Sequence, residues 1–143
     1  MKKLILISMM LVGSIGQTSF AQSVVGKWKT IDDETGEAKS VVEIYEEGGK
    51  VYGKIITIFD KTKEKDVCKK CDGDKKNKPL KGMVILEGAK KDGSSWEGGT
   101  ILDPTKGKVY KCTLSLEGKD KLKLRGYVGI SLLGRTQYWE RVK

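Results

Sequence analysis

The stretch WEGGTILDPTKGKVYKCTLSLEGKDKLKLRGYVG, Trp96 to Gly129, decides the fold. Two turns interrupt it, Asp103-Pro104-Thr105-Lys106-Gly107 and Glu117-Gly118-Lys119-Asp120. Both combine the residue types that turns require, since proline presets one backbone angle and glycine accepts positive φ. Between them Tyr110, Cys112, Leu114 and Leu116 fall on one face of an extended strand, and Val109, Lys111, Thr113 and Ser115 fall on the other. After the second turn Leu122, Leu124, Gly126 and Val128 alternate with Lys121, Lys123, Arg125 and Tyr127. A period of two with one apolar and one polar face predicts an antiparallel meander, packed on a core on one side and wet on the other.

The same punctuation extends upstream and downstream. Val24 to Ile31 predicts a first strand, with Gly26, Trp28 and Thr30 on one face. Asp32 to Gly36 is a turn, Ala38 to Glu46 a second strand, Glu46 to Lys50 a hairpin, and Val51 to Phe59 a third strand. Gly82 to Leu86 predicts a fourth strand, Ser95 to Leu102 a fifth, and Gly134 to Val142 the last. No run of ten residues carries a helical period of apolar positions. The expected fold class is therefore all-β. About eight strands in meander order suit a single antiparallel up-and-down β-barrel, which removes exposed edges by closure, better than a sandwich with its longer crossovers.

Residues 1–21 open with Lys2-Lys3, continue through the apolar LILISMMLVG and end in Ser19-Phe20-Ala21. This is the pattern of a removable signal peptide, cleaved before Gln22, and its apolar core is too short for a stable membrane span. Residues 22–143 then form one domain, large enough to enclose a core. The expectation is an exported protein, in the periplasm of a Gram-negative bacterium or outside the cell. The chain carries a net charge of +9. Its lysines are spread over nearly every segment, whereas nucleic-acid binders cluster arginines with aromatics on one face, so no nucleic-acid partner is expected. Attraction to an anionic envelope surface is compatible with this charge.

Gly26-Lys27-Trp28 on the first strand, with an arginine on the last, resembles the signature of the lipocalin-like (calycin) barrels. In those proteins the arginine packs across the tryptophan and plugs the closed end. Trp28 then has a structural role, and Arg135 or Arg141 fills the other half of the pair. A broader resemblance rests on GKWKTID at 26–32, NKPLKGMVIL at 77–86, WEGGTILDP at 96–104, GKVY at 107–110, LKLRGYVG at 122–129 and GRTQYW at 134–139. Together these look like the secreted bacterial family known as domain of unknown function 2147. The resemblance implies a Gram-negative envelope protein with a small β-barrel, and it brings no activity or catalytic residues with it.

The chain contains no histidine. Ser-His-Asp and Cys-His catalysis, imidazole metal sites and a histidine pH switch are thereby excluded. A phosphate-cradling loop, a dinucleotide fingerprint and a nucleophile elbow are also absent. The paired carboxylates Asp32-Asp33 and Glu46-Glu47 lie in glycine-containing turns, where solvated charge is their ordinary role. No catalytic residue, no metal site and no cofactor is therefore expected, and the chain reads as a non-enzyme.

Asp60 to Lys81, between the third and fourth strands, is a long loop with almost no apolar content, and such loops are usually functional, stapled or disordered. Cys68 and Cys71 sit inside it in a C-x-x-C, and Cys112 stands on the predicted inner face. In an oxidising compartment Cys68 and Cys71 pair with each other, bind a metal or exchange disulfides, or one of them bonds to Cys112. Redox catalysis wants such a motif at the start of a helix, and zinc wants a fourth ligand that this loop supplies poorly. Asp72, Asp74 and Asn77 suggest a calcium loop, but Lys76 and Met83 occupy ligand positions.

The leading expectation is a binding module for a lipid or small hydrophobic ligand, with Asp60 to Lys81 as its lid. Trp28, Tyr110, Leu114 and Trp139 are its interior candidates, and Ile130, Leu132 and Leu133 its portal candidates. Two other readings stand beside it: a structural or interaction protein of the envelope with a filled barrel and a basic surface, and a thiol-disulfide protein using Cys68 and Cys71.

Overall fold

The computed structural model describes residues 23–129 and 134–143. Residues 1–22, which include the expected signal peptide, and the portal candidates Ile130, Leu132 and Leu133 lie outside the described residues. Eight strands are present among them: β1 Gly26–Ile31, β2 Ala38–Glu47, β3 Lys50–Ile58, β4 Val84–Asp92, β5 Ser95–Asp103, β6 Lys108–Leu116, β7 Lys121–Tyr127 and β8 Gly134–Arg141. Each pairs antiparallel with its neighbour in sequence, and β8 pairs with β1, so the sheet closes into a barrel. The expected meander is the observed one.

Two strands, β1 and β4, differ from the sequence reading by more than one residue at a limit. The ladder of β1 begins at Gly26 rather than Val24, because Val24 leaves the sheet to sit fully buried and to accept the Trp28 Nε1 proton at 2.8 Å. β4 starts at Val84 and continues to Asp92 instead of ending at Leu86. Gly88, which looks like a turn signal, adopts φ +78° and takes up a register shift between Val51↔Ala89 and Tyr52↔Glu87. A bulge of this kind keeps the strand going and turns Ala89 back to the interior, where it is fully buried.

Up-and-down order sorts the connections to two ends. The β2–β3, β4–β5 and β6–β7 turns share one end with Ser23 and Lys143. The β1–β2 turn, the long β3–β4 segment and the β5–β6 turn share the other. Inward positions near the first end and at mid-barrel are sealed: Trp28, Ile44, Leu86, Leu114 and Leu122 are all fully buried or within 1 % of it. Small residues let the wall close tightly there. A Cβ on Gly53 would meet Val42 at 3.0 Å and Leu86 at 3.1 Å, and one on Gly99 would meet Ala89 at 2.8 Å.

The β1–β8 seam is short, with only Trp28↔Arg141 and Lys29↔Glu140 in register. At its other extremity Arg135 and Asp33 of the β1–β2 turn form an ion pair, with Arg135 Nε donating to Asp33 Oδ2 at 2.8 Å. That contact corrects one of the two arginine assignments. Arg135 fastens the rim of the end opposite the plug, and Trp28 is left to Arg141.

Candidate binding site

The floor of the barrel is a plug built by the first and last strands. Arg141 places its guanidinium carbon 4.2 Å from the centre of the Trp28 ring. The same group donates to the carbonyls of Lys119 at 2.7 Å, Val25 at 3.1 Å and Ser23 at 2.8 Å. A planar fork of donors satisfies three carbonyls and covers an aromatic face at once, which an ammonium cannot do. A Cβ on Gly26 would lie 2.7 Å from the Arg141 guanidinium, and Gly26 itself has φ +141°. Glycine is needed there so that the arginine can lie flat across the chain.

Above the plug the interior changes character. Strand alternation and register turn Thr30, Ser40, Ile58, Ile101, Tyr110 and Gln137 inward towards the end opposite the plug, and all six are partly buried. Thr30 and Ser40 join hydroxyls at 2.7 Å. Trp139 lies one inward step above Arg141 on β8, opposite Leu122, and is 2 % exposed. Its Nε1 has no hydrogen-bond partner. An unmet buried donor costs about 1–3 kcal/mol, so native interiors hold few of them.

The long β3–β4 segment carries a clasp of its own. Cys68 and Cys71 form a disulfide with Cα atoms 5.4 Å apart. Cys68 donates to the Lys78 carbonyl at 2.9 Å and accepts from Asn77 at 2.8 Å, Leu80 donates to Asp66 at 2.9 Å, and Val67 bridges Pro79. The clasp docks on the β5–β6 turn, where the Cys68 disulfide sulfur lies 3.7 Å from the Pro104 carbonyl oxygen. The turn is held by Asp103, whose carboxylate accepts from Thr105 at 3.0 Å and Lys106 at 3.3 Å. Between clasp and turn a cleft of about 510 Å³ is lined by Cys71, Lys75, Leu102, Tyr110 and Val128. A second cleft of about 560 Å³ runs along the outer β1–β8 seam past Ile31, Asp120, Tyr138 and Glu140.

Among the sequence-derived candidates, Tyr110 lines the cleft between clasp and turn, and Trp139 is buried in the core one inward step above Arg141. Trp28 and Leu114 have no exposed surface and belong to the sealed part of the core. The sequence reading missed Thr30, Ser40, Ile58, Ile101 and Gln137. Counting back in twos from Trp139 on β8 would have marked Gln137 as an inward polar residue.

Cys112 is free and fully buried, so the bond from Cys112 to the clasp does not form. Burial, with a smaller push from Glu97, raises its thiol from 9.0 to about 12. Below about pH 9 this thiol is neutral in folded and unfolded chains alike and adds no pH dependence. As pH rises from 9 towards 12 only the unfolded chain releases the proton, so stability falls through that window. A chromogenic thiol reagent at neutral pH is expected to find no reactive thiol in the native protein, one after unfolding, and three after unfolding with reductant. Cys112→Ala is expected to flatten the alkaline loss of stability. A native thiol that reacts fully at neutral pH would contradict the burial.

The carboxylate pairs carry no catalytic geometry. Asp32 accepts from Glu34 and Thr35 backbone amides and pairs with Lys39 at 2.7 Å, so its carboxyl is held down to about 2, chiefly by Lys39. The Arg135 guanidinium likewise holds Asp33 below the usual carboxylate range. Among the described residues no three Cys, Asp or Glu stand together in a way that would hold a metal ion, and no helix is long and apolar enough to cross a membrane.

A closed eight-stranded antiparallel meander with an arginine packed on a tryptophan at one end is the architecture of the lipocalin-like barrels. A solved structure described as protein HP1028 from the human pathogen Helicobacter pylori, which belongs to the lipocalin family, has the same fold. It aligns with a TM-score of 0.75 at 23 % identity, over 85 % of this chain and 84 % of that one. No curated protein matches the sequence. Residues 26–141 match the bacterial family described as "Uncharacterized protein conserved in bacteria (DUF2147)", and the chain belongs to that family.

Proposed function

We propose that the chain is an exported, non-enzymatic binding module that holds a lipid or other small hydrophobic ligand in the open half of its barrel. One observation supports this reading: inward side chains are fully buried from the plug to mid-barrel and only partly buried above it, which is where a ligand would enter. Ligand pockets are concave and mostly apolar with a few placed polar groups, and Ile58, Ile101 and Tyr110 with Thr30, Ser40 and Gln137 make such a set. The clasp at the same end serves as its lid. Ile130, Leu132 and Leu133, in the connection that follows β7, are kept as portal residues. The leader-like residues 1–21 support export, with the periplasm as the compartment. Burial of both clasp sulfurs, Cys68 at 0 % and Cys71 at 2 %, weighs against a thiol-disulfide exchanger, whose attacking thiol must be reached.

The test is native mass spectrometry of the exported protein, purified without detergent. Excess mass that leaves on denaturation is the expected result. A bare mass, persisting after incubation with mixed envelope lipids, would sink the carrier reading and turn attention to the basic surface.

A further inference from the structure

We infer that the ligand of this barrel bears a neutral hydrogen-bond acceptor, a ketone, ester or amide carbonyl, at its buried tip, and that Trp139 Nε1 donates to it. The inference rests on the carrier reading above and gives that ligand a chemical class.

The starting point is a contrast between two tryptophans of the same core. Trp28 is fully buried and its Nε1 is satisfied by the Val24 carbonyl at 2.8 Å. Trp139 is 2 % exposed, and its Nε1 is the one buried side-chain nitrogen or oxygen among the described residues that lacks a partner. An indole N–H is a donor only, so what completes it must be an acceptor.

The surroundings narrow the choice. Trp139 stands opposite Leu122 on β7, with Arg141 one inward step below it and Gln137 one step above. A water molecule placed there would need two to four polar partners, and this layer offers Gln137 beside apolar neighbours. The Arg141 guanidinium is committed to the Lys119, Val25 and Ser23 carbonyls and to the Trp28 ring. Arg141, the cation nearest along β8, is therefore not left to neutralise a carboxylate at this depth, and an uncompensated charge in an apolar layer is strongly disfavoured. A neutral carbonyl meets the donor without that cost. Above Trp139 the upper inward position of β7 is Gly126, which carries no side chain, and Ile101 and Tyr110 stand 3.6 Å from where its Cβ would lie, so the neighbours on the side away from Arg141 are largely apolar.

The test uses the full exported protein and three probes of one shape: methyl naphthyl ketone, ethylnaphthalene and naphthoate. In isotope-labelled protein the Trp139 indole N–H resonance is expected to move downfield with the ketone and to stay with ethylnaphthalene. Trp28, already bonded, is the internal control. The ketone is expected to bind about tenfold tighter than ethylnaphthalene, the worth of one buried hydrogen bond. Trp139→Phe, which keeps a ring and removes the donor, should erase that preference and leave ethylnaphthalene binding in place. If this variant fails to fold, the wild-type resonance comparison decides alone. Equal binding of ketone and ethylnaphthalene, with an unmoved indole resonance, would overturn the inference while leaving the carrier reading standing. Tighter binding of naphthoate would overturn the neutral class. Failure of all three to bind the wild type would bring down the inference together with the carrier reading.

Discussion

Trp28→Ala is expected to destabilise the protein by about 3–5 kcal/mol, the range for removing a large buried aromatic from a core. Trp28 is fully buried, donates to Val24 and supports the Arg141 guanidinium at 4.2 Å. Arg141→Ala removes the other half of the plug. It costs less per atom, because the Arg141 side chain is 24 % exposed, but it removes the three hydrogen bonds to the carbonyls of Ser23, Val25 and Lys119. About 2–3 kcal/mol is expected for Arg141→Ala, and Arg141→Lys should recover little of it, since a point charge cannot reproduce the fork. The two residues act on one structure, so the double variant should cost less than the two single losses together. Urea denaturation of the four proteins measures the coupling. Strict additivity, or an Arg141→Ala loss within about 0.5 kcal/mol of zero, would show that the plug does not hold the seam. The expectation is large because β1 and β8 share only two registered pairs, leaving Arg141 to do much of the closing.

Gly107→Ala is the second. Gly107 has φ +67°, and a Cβ built on it runs into the carbonyl of Lys70 in the clasp. Gly118 in the β6–β7 turn has φ +75° with nothing within 4 Å of the same hypothetical atom. Both substitutions pay the left-handed conformation, about 1–2 kcal/mol for an alanine. Only Gly107→Ala must also push the clasp off the barrel. We expect a loss of about 3 kcal/mol or more for Gly107→Ala against about 1 kcal/mol for Gly118→Ala. Hydrogen exchange should locate the difference: the amides of Cys68, Asn77 and Leu80, which hold the clasp together, lose protection in Gly107→Ala and keep it in Gly118→Ala. Matching losses and matching exchange would mean that the clasp does not depend on that close approach. Under the carrier reading, in which the clasp is the lid, Gly107→Ala also speeds ligand release.

The sequence by itself determined the architecture. Alternation along Val109 to Leu116 and Lys121 to Val128, with proline and glycine at the turns, leaves little choice of element or of inward face, because the side-chain period of a strand is two residues. It also located the plug tryptophan and the long segment carrying the C-x-x-C. Other features came from tertiary structure alone. Alternation puts Arg135 and Arg141 on the same face of β8, and only the register of the seam shows that Arg141 meets Trp28 while Arg135 turns to Asp33. Spacing could not choose among the cysteine pairings, because a bridge depends on distances between segments far apart in sequence. The clasp, too, looked structureless in a lysine-rich stretch. Its order comes from the disulfide, from backbone pairing with Pro79 and Lys78, and from the docking surface that Gly107 leaves open. The unpartnered N–H of Trp139 is likewise invisible in sequence, since a tryptophan's need for a partner shows only once the neighbours that withhold one are known.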